Sequence, residues 1–197
     1  MVAAASSPYT GNMAPSRNEP RKPRPVTREW LFRAAAYYLG RYASTAENLR
    51  RVLERKVASR IGDWGDDPKA PDPEASAALV DATVAHFLEL KLLDDRAFAE
   101  ARLASLRRRG TSIRQVQAKL SEKGVDRELI AEVVGGDETD DRAAALAFAR
   151  RRRLGPYRLR DRAERRDRDI AAMMRAGFGL GDARHAIDQD PDEDEPF

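Results

Sequence analysis

An all-α fold, elongated and assembled from small helical units in tandem, follows from three features of this 197-residue sequence. Apolar residues recur at i, i+3 and i+7, the period of a helix packed along one side. Cap residues (Ser, Thr, Asp) and stop residues (Gly) punctuate those stripes at roughly helix-length intervals. Charged residues make up 35% of the chain, against about 25% in an ordinary globular domain, which favours much surface per residue over a compact ball. Helices this short are marginal alone, so they must pack on one another and the units must stack.

The elements follow in chain order. Residues 1–27 carry Pro8, Pro15, Pro20, Pro23 and Pro25, basic residues and few apolar ones. A stretch of that kind buries too little surface to offset chain entropy, so a disordered tail is expected. Residues 28–93 form the first three-helix unit. WLFRAAAYYLGR is apolar around much of its circumference, and Ser44-Thr-Ala-Glu47 reads as a capping box opening a helix with Leu49, Val52, Leu53 and Val57 on one face. A Pro/Gly-rich insert at 59–74 interrupts the unit as a loop, with Trp64 expected to pack back onto the fold. A helix resumes from Ala75 to Leu93 with Leu79, Ala82, Val84, Phe87, Leu90 and Leu93 as its apolar residues.

The second unit, residues 94–136, has the clearest pattern. Asp94-Asp95 suits the positive end of a helix dipole, and Phe98, Ala101, Ser105 and Leu106 make a stripe before Arg107–Arg109 and Gly110 end the helix. Ser112-Ile-Arg-Gln115 is a second capping box, with Ile113, Val116 and Leu120 behind it and Gly124 as the stop. Asp126 caps a third helix whose apolar face is Leu129, Ile130, Val133 and Val134. The third unit, residues 137–187, repeats the scheme. Asp140-Asp141 opens it, Arg150–Arg153 and Gly155-Pro156 close its first helix, and Asp161-Arg-Ala-Glu164 is a cap-like start for the next. Gly181-Asp182 introduces the last helix. Phe98 and Phe148, 50 apart, suggest a repeat of about that period. Residues 188–197 read as an acidic disordered tail.

Composition excludes several classes of function. There is no cysteine, hence neither a disulfide framework nor a thiolate metal site. No apolar run approaches the ~18 residues of a membrane span, and the start has no apolar signal-peptide core. A cytoplasmic monomer that does not engage membranes is expected. No Gly-Lys-Ser/Thr is present for a P-loop, and Gly177-Phe-Gly179-Leu-Gly181 follows no strand. The pairs Asp94-Asp95 and Asp140-Asp141 are explained by capping, and His86 and His185 lack partners at metal-ligand spacing. The expectation is a protein without catalytic residues, metal or cofactor.

Charge points to a polyanionic partner. The net charge is +3, but the tail from Asp188 holds six acids and no base, leaving +9 on residues 1–187. Arginine forks make bidentate bonds to carboxylate or phosphate. The candidate track comprises Arg107, Arg108, Arg109, Arg114, Lys119, Lys123, Arg150, Arg151, Arg152 and Arg153. Dipole complementation accounts for some of these cations but not for four consecutive arginines. If the track is surface, changing Arg107–Arg109 to Ala leaves the melting temperature nearly unchanged. The acidic tail is read as a shield for it.

LELKLLDDRAFAEARLASLRRRG followed by TSIRQVQAKLSEKGVDRELI resembles the middle of the RecX family, regulators of the RecA recombinase. Arg41, Ser44, Glu47, Leu49, Leu53 and Lys56 are similar to the family's first unit, Leu92, Asp94-Asp95, Phe98-Ala99, Arg108-Arg109-Gly110, Lys123-Gly124-Val125 and Ile130 to its second, and Arg175-Ala-Gly177-Phe178 to its third. The match spans about residues 30–187, with two departures: Val57 stands where Gly124 stands in the second unit, and Asn48 precedes the apolar position. The resemblance implies a non-enzymatic, modular helical protein that lies in the groove of RecA filaments on single-stranded DNA. It further implies reduced ATP turnover, strand exchange and SOS co-protease activity, with weak direct binding to DNA. The basic track is then the expected filament contact. A general DNA-binding helical module and a helical scaffold for another protein remain as alternative readings.

Overall fold

The computed structural model describes residues 24–137 and 140–189. The expected disorder of the N-terminal tail before residue 24 and of the acidic residues 190–197 concerns residues outside that range. The described residues form nine α-helices: α1 (Arg28–Leu39), α2 (Ala46–Gly62), α3 (Pro73–Glu89), α4 (Asp95–Arg108), α5 (Ile113–Glu122), α6 (Arg127–Gly135), α7 (Asp141–Arg152), α8 (Arg162–Arg175) and α9 (Leu180–Asp188). A single 3-10 turn, Gly155–Tyr157, lies between α7 and α8. The architecture is all-α and elongated, in repeated three-helix units.

Each consecutive trio encloses its own core. Leu31, Leu49, Leu53, Val80, Val84 and Phe87 fill the first, Ala99, Leu103, Val116, Leu120, Val125 and Ile130 the second, and Ala145, Ala149, Ile170, Met173, Phe178 and Ile187 the third. Burying one such Leu, Ile or Phe side chain contributes about 1.5–3 kcal/mol, which offsets the ordering of helices too short to stand alone.

Caps set most helix starts. Thr27, Asp72, Asp94, Ser112, Asp126 and Asp140 each accept a hydrogen bond from a first-turn N–H. Four starts differ from the sequence reading: α3 begins at Pro73 rather than Ala75, and three others differ at the cap. Thr45, not Ser44, caps α2, accepting from Asn48 N at 3.1 Å. Glu47 turns instead to Arg50 and Arg51, and Asn48 Nδ2 ties α1 to α2 through Tyr38 Oη and Ser44 Oγ. Asp161 makes no capping bond because it sits in the left-handed region, and α9 opens at Leu180 after Gly179.

The inward faces also shift. The helix α2 continues to Gly62, so the expected loop at 59–74 is confined to the residues between Gly62 and Pro73. Val57, in place of a stop glycine, simply stays in helix and packs in the core. The Trp64 indole is half-buried and donates to Arg24 O at 3.3 Å. On α3 the buried face is Ser76, Val80, Thr83, Val84 and Phe87, whereas Ala82 and Leu90 are exposed. On α4 it is Ala99, Leu103 and Leu106, rotated from the Phe98–Ala101 stripe because α5 and α6 pack on that other side.

Candidate polyanion-binding groove

Two joints connect the three units, and both are built from helix caps. At the first, the Thr45 hydroxyl donates to Lys123 O at the end of α5, while Ala46 N donates to Asp95 Oδ1 at 2.8 Å. At the second, the Ser112 hydroxyl donates to Ala176 O at 2.7 Å, while Ile113 N donates to Asp141 Oδ1 at 3.0 Å. The second acid of each Asp-Asp pair therefore serves the preceding unit rather than its own helix. It satisfies the first N–H of that unit's second helix, which its own cap leaves open. Asp94 and Asp140 cap the local helix. These acids are 46 apart, so Phe98 and Phe148 are not equivalent positions, and the 50-residue spacing between them is incidental.

The same geometry explains the stop glycines. A Cβ on Gly124 meets Glu47 Cβ at 2.6 Å, and one on Gly177 meets Ser112 Oγ at 2.6 Å, with φ at +77° and +89°. Each glycine makes room for the capping turn of the preceding unit. Among the described residues no capping turn packs against the end of the first unit's second helix as Glu47 does on Gly124, and that helix runs past Val57 without a glycine.

Arg107 reinforces the second joint from inside. Its side chain is only 3% exposed, its Nη1 donates to Thr111 O at 2.9 Å and to Asp141 Oδ1, and its Nε faces Asp137 Oδ2 at 2.8 Å. At the first joint the corresponding tie is exposed: Arg51 Nη1 donates to Glu122 O at 3.1 Å.

A groove opens beside each joint, next to Ser44 in one case and Thr111 in the other. The groove at the second joint has a volume of about 680 Å³ and is lined by Gln115 and Lys119 of α5, Phe148, Arg151 and Arg152 of α7, and Ala172 and Arg175 of α8. It gathers four cations and no carboxylate among its lining residues. The Arg151 and Arg152 guanidinium carbons stand 5.6 and 5.9 Å from the Phe148 ring centroid, and that ring packs on Phe178 at 5.5 Å. Cation–π contact of this kind restrains long side chains while leaving their donors outward. Chemically, the groove is a converging set of charged donors suited to phosphates or acidic side chains.

Comparison with known proteins bears on what such a groove serves. Residues 94–134 match the family described as RecX, second three-helix domain. Over 176 residues, 87% of this chain and 91% of the relative, the sequence is 40% identical to the regulatory protein RecX of Myxococcus xanthus strain DK1622. The chain belongs to the RecX family. The regulatory protein RecX of Agrobacterium fabrum strain C58 is 35% identical over 152 residues, 77% of this chain and 78% of that protein. No solved structure matches the chain. RecX proteins are regulators rather than enzymes, associated with control of RecA and with DNA repair by recombination. None of the described helices is long and apolar enough to cross a membrane.

In this RecX-family chain the ten cations nominated from sequence do not form one track. Lys119, Arg151 and Arg152 converge on the groove. Arg107 is a correction: it is buried in the joint, because two aspartates and a carbonyl converge on it there. With it falls the expectation that replacing Arg107–Arg109 leaves melting unchanged. Arg108 is exposed beside a different cleft that also carries Glu100, Glu132 and Asp137. Arg109 ends α4, and Arg114 is exposed on α5 beside Gly177. Lys123 lines the groove of the first joint. Arg150 is exposed, and Arg153 ends α7 in the left-handed region. Arg175 was missed as a groove residue, although the Arg-x-Gly-Phe match already contained it.

Proposed function

We propose that this protein binds RecA filaments on single-stranded DNA and restrains their ATP hydrolysis, strand exchange and co-protease activity. The groove at the second joint is its contact. The supporting observation is the gathering of Lys119, Arg151, Arg152 and Arg175, without a carboxylate among the lining residues, on a joint held by the Arg107 ion pairs. Cations mounted on helices and braced by Phe148 lose little further freedom on binding, which favours them over arginines on loose loops. The protein acts as a monomer, with weak affinity of its own for single strands.

Titrating the protein into preformed RecA filaments, with DNA in excess, tests this reading through ATP hydrolysis. Inhibition at substoichiometric protein is the expected result. An R151Q/R152Q variant that melts like the parent is expected to lose most of it. Hydrolysis that stays unchanged at equimolar protein overturns the reading and leaves a helical DNA-binding module or a scaffold. Salt separates those two, since phosphate contacts weaken binding to single strands by about 0.7 in log–log slope per contact.

A further inference from the structure

Helix α8 carries two rows of arginine with different fates. Arg162 and Arg166 turn toward α9: Arg162 Nη2 donates to Gln189 O at 2.7 Å, and Arg166 grips the Asp188 carboxylate with two bonds of 2.6 Å. Arg165, Arg168, Ala172 and Arg175 recur at i, i+3, i+7 and i+10, which places them along one flank of the helix. The three arginines of that flank are exposed, and among the described residues none has a carboxylate within ion-pairing distance. Ala172 and Arg175 lie in the cationic groove, so the flank prolongs the groove toward the start of α8.

The first row fixes the position of the last described residues, Asp188 and Gln189. Gln189 is held against α8 by Arg162, and the residues that follow, Asp-Pro-Asp-Glu-Asp-Glu at 190–195, bring five carboxylates in six positions. Six extended residues reach about 20 Å, and α8 from Arg162 to Arg175 spans about 20 Å at 1.5 Å per residue. The acids follow directly on Gln189, and a segment of that length is long enough to reach Arg165, Arg168 and Arg175.

We infer that the acidic segment 190–195 is an internal competitor for the α8 flank formed by Arg165, Arg168 and Arg175. A phosphate backbone seated in the groove gains the outer flank only by displacing this segment. The target of the acidic tail is thus α8, not the arginines at the end of α4, and Asp188 belongs to the anchor rather than to the competitor.

Neutralising Asp190, Asp192, Glu193, Asp194 and Glu195 to Asn or Gln, which keeps the length, tests this in the full chain. Binding of fluorescein-labelled oligothymidine at low salt is expected to tighten about tenfold, with the gain shrinking as salt rises. In a background of R165Q/R168Q the same neutralisation is expected to change binding by less than about twofold. Unchanged affinity in the parent background overturns the inference. So does an equal gain in the R165Q/R168Q background, which assigns the effect to net charge alone. A readout without any partner stands beside it: the Nε–H resonances of Arg165 and Arg168 are expected to shift when the acids are neutralised, and resonances that stay in place overturn the inference. Because that shift needs neither RecA nor DNA, its outcome is separate from that of the filament assay.

Discussion

The two joints share a plan and differ in what they hold and what they expose. Each places a hydroxyl cap on a carbonyl of the next unit and borrows an aspartate from it. The first is tied by the exposed Arg51 and opens onto a groove with Leu39, Tyr42, Leu92 and Phe98. The second is tied by the buried Arg107 and opens onto the cationic groove. Tyr42 is 57% and Leu92 60% exposed, so the first groove shows apolar surface where the second shows charge. One backbone solution thus carries two chemistries, because the cap contacts use few side chains and leave the groove walls free to vary.

Breaking the arginine ties gives the largest expected contrast. Arg107→Ala leaves Asp137 and Asp141 facing each other's charge in a largely buried joint, and is expected to cost about 3–5 kcal/mol in unfolding free energy. Arg51→Ala, at an exposed site, is expected to cost no more than about 0.5 kcal/mol. Denaturant melts of the two variants check this; equal losses would falsify the ranking of the joints.

Filling the sockets comes next. Gly177→Ala combines a left-handed backbone with a Cβ against Ser112 Oγ, and a loss of about 2 kcal/mol or more is expected. Gly124→Ala should behave alike, since Glu47 Cβ occupies the equivalent place. A thermal shift near zero for either glycine would mean that the joint opens to receive the methyl group. Smaller still are the caps: Ser112→Ala and Thr45→Ala are each expected to lose about 1 kcal/mol. Hydrogen exchange should show the loss not only in their own helices but also at Ala176 and Lys123, whose carbonyls accept from them.

The smallest difference is in pH response. Burial raises the Asp95 carboxyl above its ordinary 3.8, with the Ala46 N–H opposing that shift and the Asp94 charge adding to it. A raised folded value means that its stabilising contribution is full below the unfolded value and is lost as pH rises through the folded one. Asp169 is the reverse case: Arg158's side-chain hydrogen bond holds its carboxyl below the ordinary range against burial, so its contribution is lost as pH falls through the depressed value. Melting temperature followed from pH 7 to about 4 should therefore favour the parent over D95N progressively toward acid. Parallel profiles for the two proteins would exclude the Asp95 contribution.

Much of this was readable in the chain. Asp94, Ser112 and Asp126 announced their helices because a cap bonds within three residues of itself. Val116 and Leu120 announced a core face because one helix turn repeats locally. The RecX motifs were legible for the same reason, being caps and spacings in order. What failed was rotational: Phe98 packs only partly buried against the core and Ala101 is exposed, whereas the packing of α5 and α6 buried Ala99 and Leu103 alongside the expected Leu106. The groove was half-legible. Arg151 and Arg152 stood out as a charge run, but Arg107 belonged to a similar run and turned inward.

Sequence by itself determined the helices, their stops, the family and the excess of positive charge, all of which depend on neighbours within a turn or two. Tertiary structure decided which aspartate serves which unit, which arginine is buried and which cations share a groove. Those choices join residues 28 to 78 positions apart. Across such a span no local period constrains the pairing, and only the stacking of one unit on the next brings the groups within hydrogen-bonding reach.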